Sequence, residues 1–262
     1  MISIRYRVTL LLVIGLAALT AAGCSWLGKG RSSGLTIVAP DYLKGVIETV
    51  AAQFEVENKT RVRVVYEPFD KVLGKAGQSG IDLFVIGDTD RPETHEALDS
   101  LRGNGNYSCP FRLSLIVAGR PDGPSCGDIR ELAGDDFRRI VMVDTAQYEG
   151  LLAQEALQRT GLWKKVRGKL ILARSTTQMS SYLKSGEADA VLALEVSLRD
   201  EKGWILLARL DDDRRIQRRL LHCAGVTPGA SDKNAAQALL DLFDLRQCPL
   251  YRIAGVSQDT EE

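Results

Sequence analysis

Residues 35–66 read LTIVAPDYLKGVIETVAAQFEVENKTRVRVVY, and this stretch decides the fold class. Leu35-Thr-Ile-Val-Ala39 is a β-branched run closed by Pro40, the pattern of a strand. Over residues 43–57 the apolar side chains Leu43, Val46, Ile47, Val50, Ala51 and Phe54 recur at helical spacing. Arg61-Val-Arg-Val-Val-Tyr66 is the next strand. A short helix over 71–76 leads to Ile81-Asp-Leu-Phe-Val-Ile86, whose mostly apolar run suits a strand covered on both faces. Residues 91–101 read as a polar helix. Strand alternating with helix predicts an α/β protein with a mainly parallel sheet.

A second set of the same kind follows. Strands are expected over 112–118, 139–143, 169–173, 190–194, 204–208 and 218–226. Helices are expected over 129–132, 148–160, 176–185 and 232–245, the last with Ser231 as N-cap. Two α/β sets of similar length predict two lobes.

The first 24 residues stand apart. Arg5 and Arg7 precede a short apolar core over 8–19, then Thr20, Ala21, Ala22, Gly23 and Cys24, the layout of an export signal. The apolar run is short for a membrane span, which needs about 20 residues. Leu19-Thr-Ala-Ala-Gly-Cys24 resembles the bacterial lipoprotein cleavage box, which implies removal of residues 1–23 and a lipid on Cys24. Residues 24–34, rich in Gly and Ser, are a linker between lipid and fold.

Lys plus Arg and Asp plus Glu both number 34, so no basic surplus points to nucleic acid. Losing Arg5 and Arg7 leaves the remainder only slightly acidic. Cys109, Cys126, Cys223 and Cys248 are an even set in an exported chain, so two disulfides are expected; of three pairings, Cys109–Cys126 with Cys223–Cys248 closes the shorter loops. No Cys-x-x-Cys pair suggests zinc or redox chemistry. The glycine-rich 74–80 segment lacks a Gly-Lys-Ser/Thr ending and precedes a strand, so it reads as a turn. His222, inside an apolar strand, reads as a hydrogen-bonded core residue, and His95 as exposed. No Gly-x-Ser-x-Gly elbow and no nucleophile–base–acid set emerges, so no enzyme and no cofactor is expected.

Several segments in order resemble the molybdate-binding proteins of bacterial ABC importers, which are type II periplasmic binding proteins. They are the opening strand and helix with Ala51-Ala-Gln-Phe-Glu55, then Asp82-Leu-Phe-Val-Ile-Gly-Asp88, Thr160-Gly-Leu-Trp-Lys-Lys165 with Lys169-Leu-Ile-Leu172, and Ser185-Gly-Glu-Ala-Asp-Ala190. The resemblance implies two lobes, 35–111 with 219–256 and 112–218, with a hinge in the strands 112–118 and 218–226. It also implies a ligand in the cleft, an ABC permease as partner, a monomer, and a location facing the periplasm or exterior; the alternative is a sensory or structural lipoprotein that kept the binding fold but not transport.

The family's oxyanion-binding motifs are altered. A family serine aligns with Tyr42, Glu67-Pro-Phe-Asp-Lys71 stands where a Gly-Ser-Ser-Gly motif belongs, Leu152 replaces one tyrosine and Leu194 another. Asp41, Glu67, Asp70, Asp88, Glu149 and Glu195 fall on expected cleft loops, where they would repel a dianion. The candidate ligand-binding residues are Asp41, Tyr42, Asp70, Lys71, Asp88, Gln147, Tyr148, Glu149 and Glu195. The expected ligand is a cationic, polyol or mixed organic solute instead of molybdate or tungstate. Tyr42 and Tyr148 would stack on it or hydrogen-bond to it, and Lys71 would pair with Asp70 or with an acidic ligand group.

Overall fold

Among the described residues eleven strands form two separate sheets, and the chain passes from one to the other at Ser114. A computed structural model describes residues 34–87, 107–199, 201–211, 214–243 and 256–257; the side chains of 107–111, 215, 218, 256 and 257 lie outside the description. The expected helix over 91–101, with His95 and Asp88, also lies outside it.

The first sheet holds β1 (Leu35–Pro40), β2 (Val62–Glu67), β3 (Leu83–Gly87), β4 (Tyr107–Leu113), β10 (Leu221–Val226) and β11 (Val256–Ser257), in the order β11-β4-β10-β3-β1-β2. The second holds β5 (Leu115–Gly119), β6 (Ile140–Val143), β7 (Leu170–Ala173), β8 (Ala190–Leu194) and β9 (Ile205–Arg209), in the order β7-β6-β8-β5-β9. Each sheet is mixed. The β2–β1–β3 and β7–β6–β8 sides are parallel, while β10 with β3 and β4, and β5 with β8 and β9, pair antiparallel. Parallel neighbours are joined through helices, as their long crossover requires.

In the first set, α1 (Lys44–Asn58) and α2 (Phe69–Ala76) follow β1 and β2. Val46, Ile47, Val50 and Phe54 bury one stripe of α1, which ends where Lys59 turns left-handed at φ 54°. In the second set, α3 (Tyr148–Arg159), α4 (Trp163–Val166) and α5 (Thr176–Lys184) surround β6, β7 and β8. Ser175 caps α5 by accepting from Gln178 N–H. From Leu35 onward the chain clusters as one unit, and a continuous buried core runs from Ile37 and Phe84 to Leu115, Met142 and Leu192.

Three local expectations need correction. The run over 112–118 is two strands in different sheets, broken at Ser114, because Leu113 continues the β4–β11 ladder while Leu115 opens the β5–β8 ladder. The strand over 218–226 starts only at Leu221; residues Arg214–Leu220 form α6, since Ile216 and Leu220, four apart, are both buried at helical spacing. The last helix is α7 (Lys233–Asp241), capped by Asp232 instead of Ser231. Ser231 is drawn off to the buried Asp82 carboxylate, to which its hydroxyl (2.8 Å) and N–H (2.7 Å) both donate; Thr36 N–H donates to the other oxygen (2.8 Å).

The cysteines also differ. Cys126 is a free, buried thiol that points at the Asp128 carbonyl (3.0 Å), so it is not bridged to Cys109. Cys223 is disulfide-bonded, with its partner sulfur outside the described side chains; Cys248 lies outside the described residues. Among the described residues no helix is long and apolar enough to cross a membrane.

Candidate functional site

Four strand-to-helix turns converge on one cleft of about 370 Å³. The turn after β1 supplies Asp41 and Tyr42, and that after β2 supplies Pro68, Phe69 and Asp70. From the second sheet, the turn after β6 supplies Thr145, Ala146, Gln147, Tyr148 and Glu149, and that after β7 supplies Ser175, Thr176 and Thr177. Leu151 and Arg219 complete the lining. Each turn sits at the carboxyl end of a parallel strand, where open α/β sheets place their ligands. The volume is within the range of small-molecule sites, about 300–1,000 Å³.

Helix starts leave backbone N–H groups and partial positive charge facing the cleft. This chain answers them with its own carboxylates: Asp41, Asp70 and Glu149 each occupy a first turn. Glu149 is the deepest, at 3% exposure. It accepts from Leu194 N–H (2.7 Å) and from the Thr176 hydroxyl (3.3 Å). Burial is the main cause that lifts its carboxyl to about 7, and the Asp41 charge adds to it, while the donated hydrogen bonds pull the other way. Arg219 does not neutralise the acidic wall, because its guanidinium pairs with Glu155, which also holds Arg159.

The inner end of the cleft is aromatic. Tyr148 stacks on Phe69, with centroids 4.3 Å apart, and on Tyr42 at 5.5 Å, both 16° from parallel. His222 meets Tyr42 and Tyr148 edge-on. His222 is fully buried, and burial lowers its imidazole to about 4, so the ring is neutral at pH 7. Its Nδ1 lies 2.8 Å from the Leu220 carbonyl, which can only accept, so Nδ1 carries the proton. Nε2 is then an acceptor, and the Tyr42 hydroxyl donates to it at 2.8 Å. Burial, with the nearby Tyr148, Asp41 and Glu149, raises the Tyr42 phenol well above its usual range and keeps it a donor. Tyr148 donates to the Arg219 carbonyl.

Of the residues singled out in the sequence, Asp41, Tyr42, Asp70, Gln147, Tyr148 and Glu149 meet around this cleft. Lys71 is exposed and outside the lining. Glu195 turns away to Arg209 (3.4 Å) at the edge strand β9, and Glu67 pairs with Lys75 (3.5 Å). Asp88 lies outside the described residues. The sequence reading missed Phe69, Thr145, Arg219 and the trio Ser175, Thr176 and Thr177. The trio follows a strand and opens a helix, as Asp41 and Tyr42 do, so its position was a usable signal. Gln147 spends its side-chain amide on the Arg174 carbonyl (2.9 Å), which ties the two second-sheet turns together. Among the described residues no group of three or more His, Cys, Asp or Glu side chains is placed to hold a metal ion.

This is a two-sheet binding fold with a ligand-sized cleft between the sheets. The sequence pattern of the family described as bacterial extracellular solute-binding protein matches residues 35–244, and the chain belongs to that family. Similar solved structures include the substrate-binding domain of a candidate molybdenum ABC transporter from Clostridium difficile (TM-score 0.71, 16% identity, covering 86% of this chain and 98% of that one). A periplasmic molybdate-binding protein from Azotobacter vinelandii matches with a TM-score of 0.60 at 17% identity, over 86% and 100% of the two chains. A ferric-binding protein from Campylobacter jejuni matches with a TM-score of 0.61 at 15% identity, over 87% and 88%. These likenesses establish the type II periplasmic binding fold. No curated protein matches the sequence significantly.

Proposed function

We propose that this chain is the extracytoplasmic solute-binding component of an ABC importer, anchored through a lipid on Cys24. One lobe is built on the first sheet, up to Leu113 and again from Leu221, and the other on the second sheet from Leu115, and a solute held in the cleft between them is delivered to a permease. The observation that carries this reading is the cleft itself: four turns at strand carboxyl ends, from two different sheets, surround one ligand-sized space.

The lining selects the solute class. A tetrahedral dianion would meet Asp41, Asp70 and Glu149, and each ionised carboxylate about 4 Å away costs roughly 1–4 kcal/mol of repulsion. A solute that carries a cationic or hydroxyl-rich group satisfies those carboxylates, while Thr145, Thr177 and the helix-start N–H groups offer donors to its remaining oxygens. The ligand is therefore a cationic or polyhydroxylated organic molecule. Its proximity to a Glu149 that titrates near 7 makes binding of a cation stronger as pH rises from about 6 to 8.

A melting-temperature screen of the full chain in mild detergent tests this, because a solute bound only by the folded state raises Tm. Amines, polyamines, amino acids and sugars are compared with molybdate, tungstate and metal salts. A rise of several degrees with an organic class and none with the oxyanions is expected. A rise only with an oxyanion contradicts the solute class. No rise with any compound contradicts a transport role.

A further inference from the structure

Tyr148 fills a space that solute binding alone does not require a protein side chain to fill. It is the first residue of α3, in the body of the second sheet, yet its ring packs into the body of the first. Phe69 and Tyr42 stack on it, and His222 meets it edge-on at 6.1 Å. Its hydroxyl donates to the Arg219 carbonyl. The wall behind it is left bare by Gly87 at the end of β3: a Cβ there would sit 2.9 Å from the Tyr148 hydroxyl oxygen and 3.0 Å from His222 Nε2. Tyr148 is only 5% exposed, so its seat leaves little of it open to the cleft.

We propose that Tyr148 is the built-in occupant of the inner cleft: it stands where a ligand group would bridge the two bodies, and so sets the size of solute the protein accepts. Solutes are confined to the outer space beside Asp41, Asp70 and Glu149. The role in solute selection rests on the binding reading above; the filling of the seat does not.

Removing the ring leaves an aromatic slot between Phe69, Tyr42 and His222, with the Arg219 carbonyl at its end without its donor. Buried apolar slots of this kind take up free aromatic molecules. A phenol restores both the ring and the donated hydrogen bond, whereas toluene restores the ring alone. The test is the melting temperature of the full chain in mild detergent, followed by far-UV circular dichroism, with 4-methylphenol or toluene as probe. Tyr148→Ala is expected to lower Tm by on the order of 10 °C. Saturating 4-methylphenol should recover a substantial part of that loss and toluene less. Wild type and Tyr148→Phe, whose seats are filled, should not respond to either. A Tyr148→Ala protein that ignores both probes, or a wild type that responds equally, overturns the proposal.

If Tyr148→Ala does not fold, folding on addition of 4-methylphenol supports the proposal. Continued unfolding, with the shorter-reaching Tyr148→Leu also unresponsive, counts against it. The solute screen gives the separate readout: a wild type that binds no solute removes the transport reading and leaves the phenol result standing. A Tyr148→Ala that binds bulkier solutes than wild type joins the two.

Discussion

Replacing Gly150 by alanine is expected to destabilise the protein by roughly 3 kcal/mol, the upper part of the usual overpacking range. A Cβ at this position would lie 2.2 Å from the Val143 carbonyl oxygen and 2.4 Å from that of Asp144. Neither oxygen can yield easily. Val143 is held in the β6–β7 ladder opposite Ala173, and Asp144 N–H donates to the Ala173 carbonyl at 2.8 Å. Alanine would gain about 1 kcal/mol of helix propensity over glycine, but the backbone clash is larger and decides the sign. The relief available is for α3 to lift off β6, which drags Tyr148 and Glu149 out of the cleft together. Urea unfolding of wild type and Gly150→Ala measures the loss. A difference below about 1 kcal/mol would mean that α3 is not seated against β6 as described.

Glu149→Gln is expected to stabilise the protein at neutral and alkaline pH and to do little in acid. The folded carboxyl titrates near 7 against an ordinary value of 4.5, so the folded state holds its proton more tightly than the unfolded state does. Between those two values the folded form binds more protons, and stability falls as pH rises; above about 7 the full penalty, about 3 kcal/mol, is in place. Glutamine keeps an acceptor for Leu194 N–H and never ionises. The stability difference between variant and wild type should thus grow from near zero below pH 4.5 toward about 3 kcal/mol at pH 8.

His222 works in the opposite sense. Its folded value is about 4 against 6.5, so the stability it contributes is present above 6.5 and is lost as pH falls toward 4. In wild type the two slopes nearly cancel between about pH 4.5 and 6.5, and Glu149→Gln exposes the His222 slope. Denaturant titrations of both proteins across this range check it. A difference that does not change with pH would show that Glu149 is not held in the buried, acid-facing position.

Much of the strand and helix alternation was legible because buried β-branched runs and the α1 stripe carry strong periodicity. Ala190–Leu194 is a strand with the bounds its sequence suggested. Where the sequence misled, long-range structure decided. The residues 112–118 form one apolar run, and only the pairing partners reveal that it serves two sheets. The charges of Arg214–Leu220 hid an Ile216/Leu220 helical pair, and with it the approach of Arg219 to the cleft. Loop length suggested a Cys109–Cys126 bridge, but length says nothing about where a loop packs, and Cys126 is folded inward as a free thiol.

The site was half legible for a similar reason. Acidic and aromatic residues just after strands were easy to single out, and five of them share one cleft. Glu195 occupies the same kind of position after β8, yet Arg209 on the edge strand β9 captures it. Ser175 caps α5, but nothing local in the sequence shows that the same turn also faces Asp41 and Tyr42. The three-ring contact between the bodies depends on Phe69, Tyr42 and Tyr148, which are up to 106 positions apart in the chain, and on the missing side chain of Gly87.

The proposal that the acidic cleft rejects tetrahedral dianions is tested most directly by calorimetric titration of the purified full chain with molybdate at neutral pH. No saturable heat at micromolar ligand is expected, because among the described residues three carboxylates and no uncommitted arginine line the cleft. Saturable molybdate binding below one micromolar, about −8 kcal/mol or stronger, would contradict it.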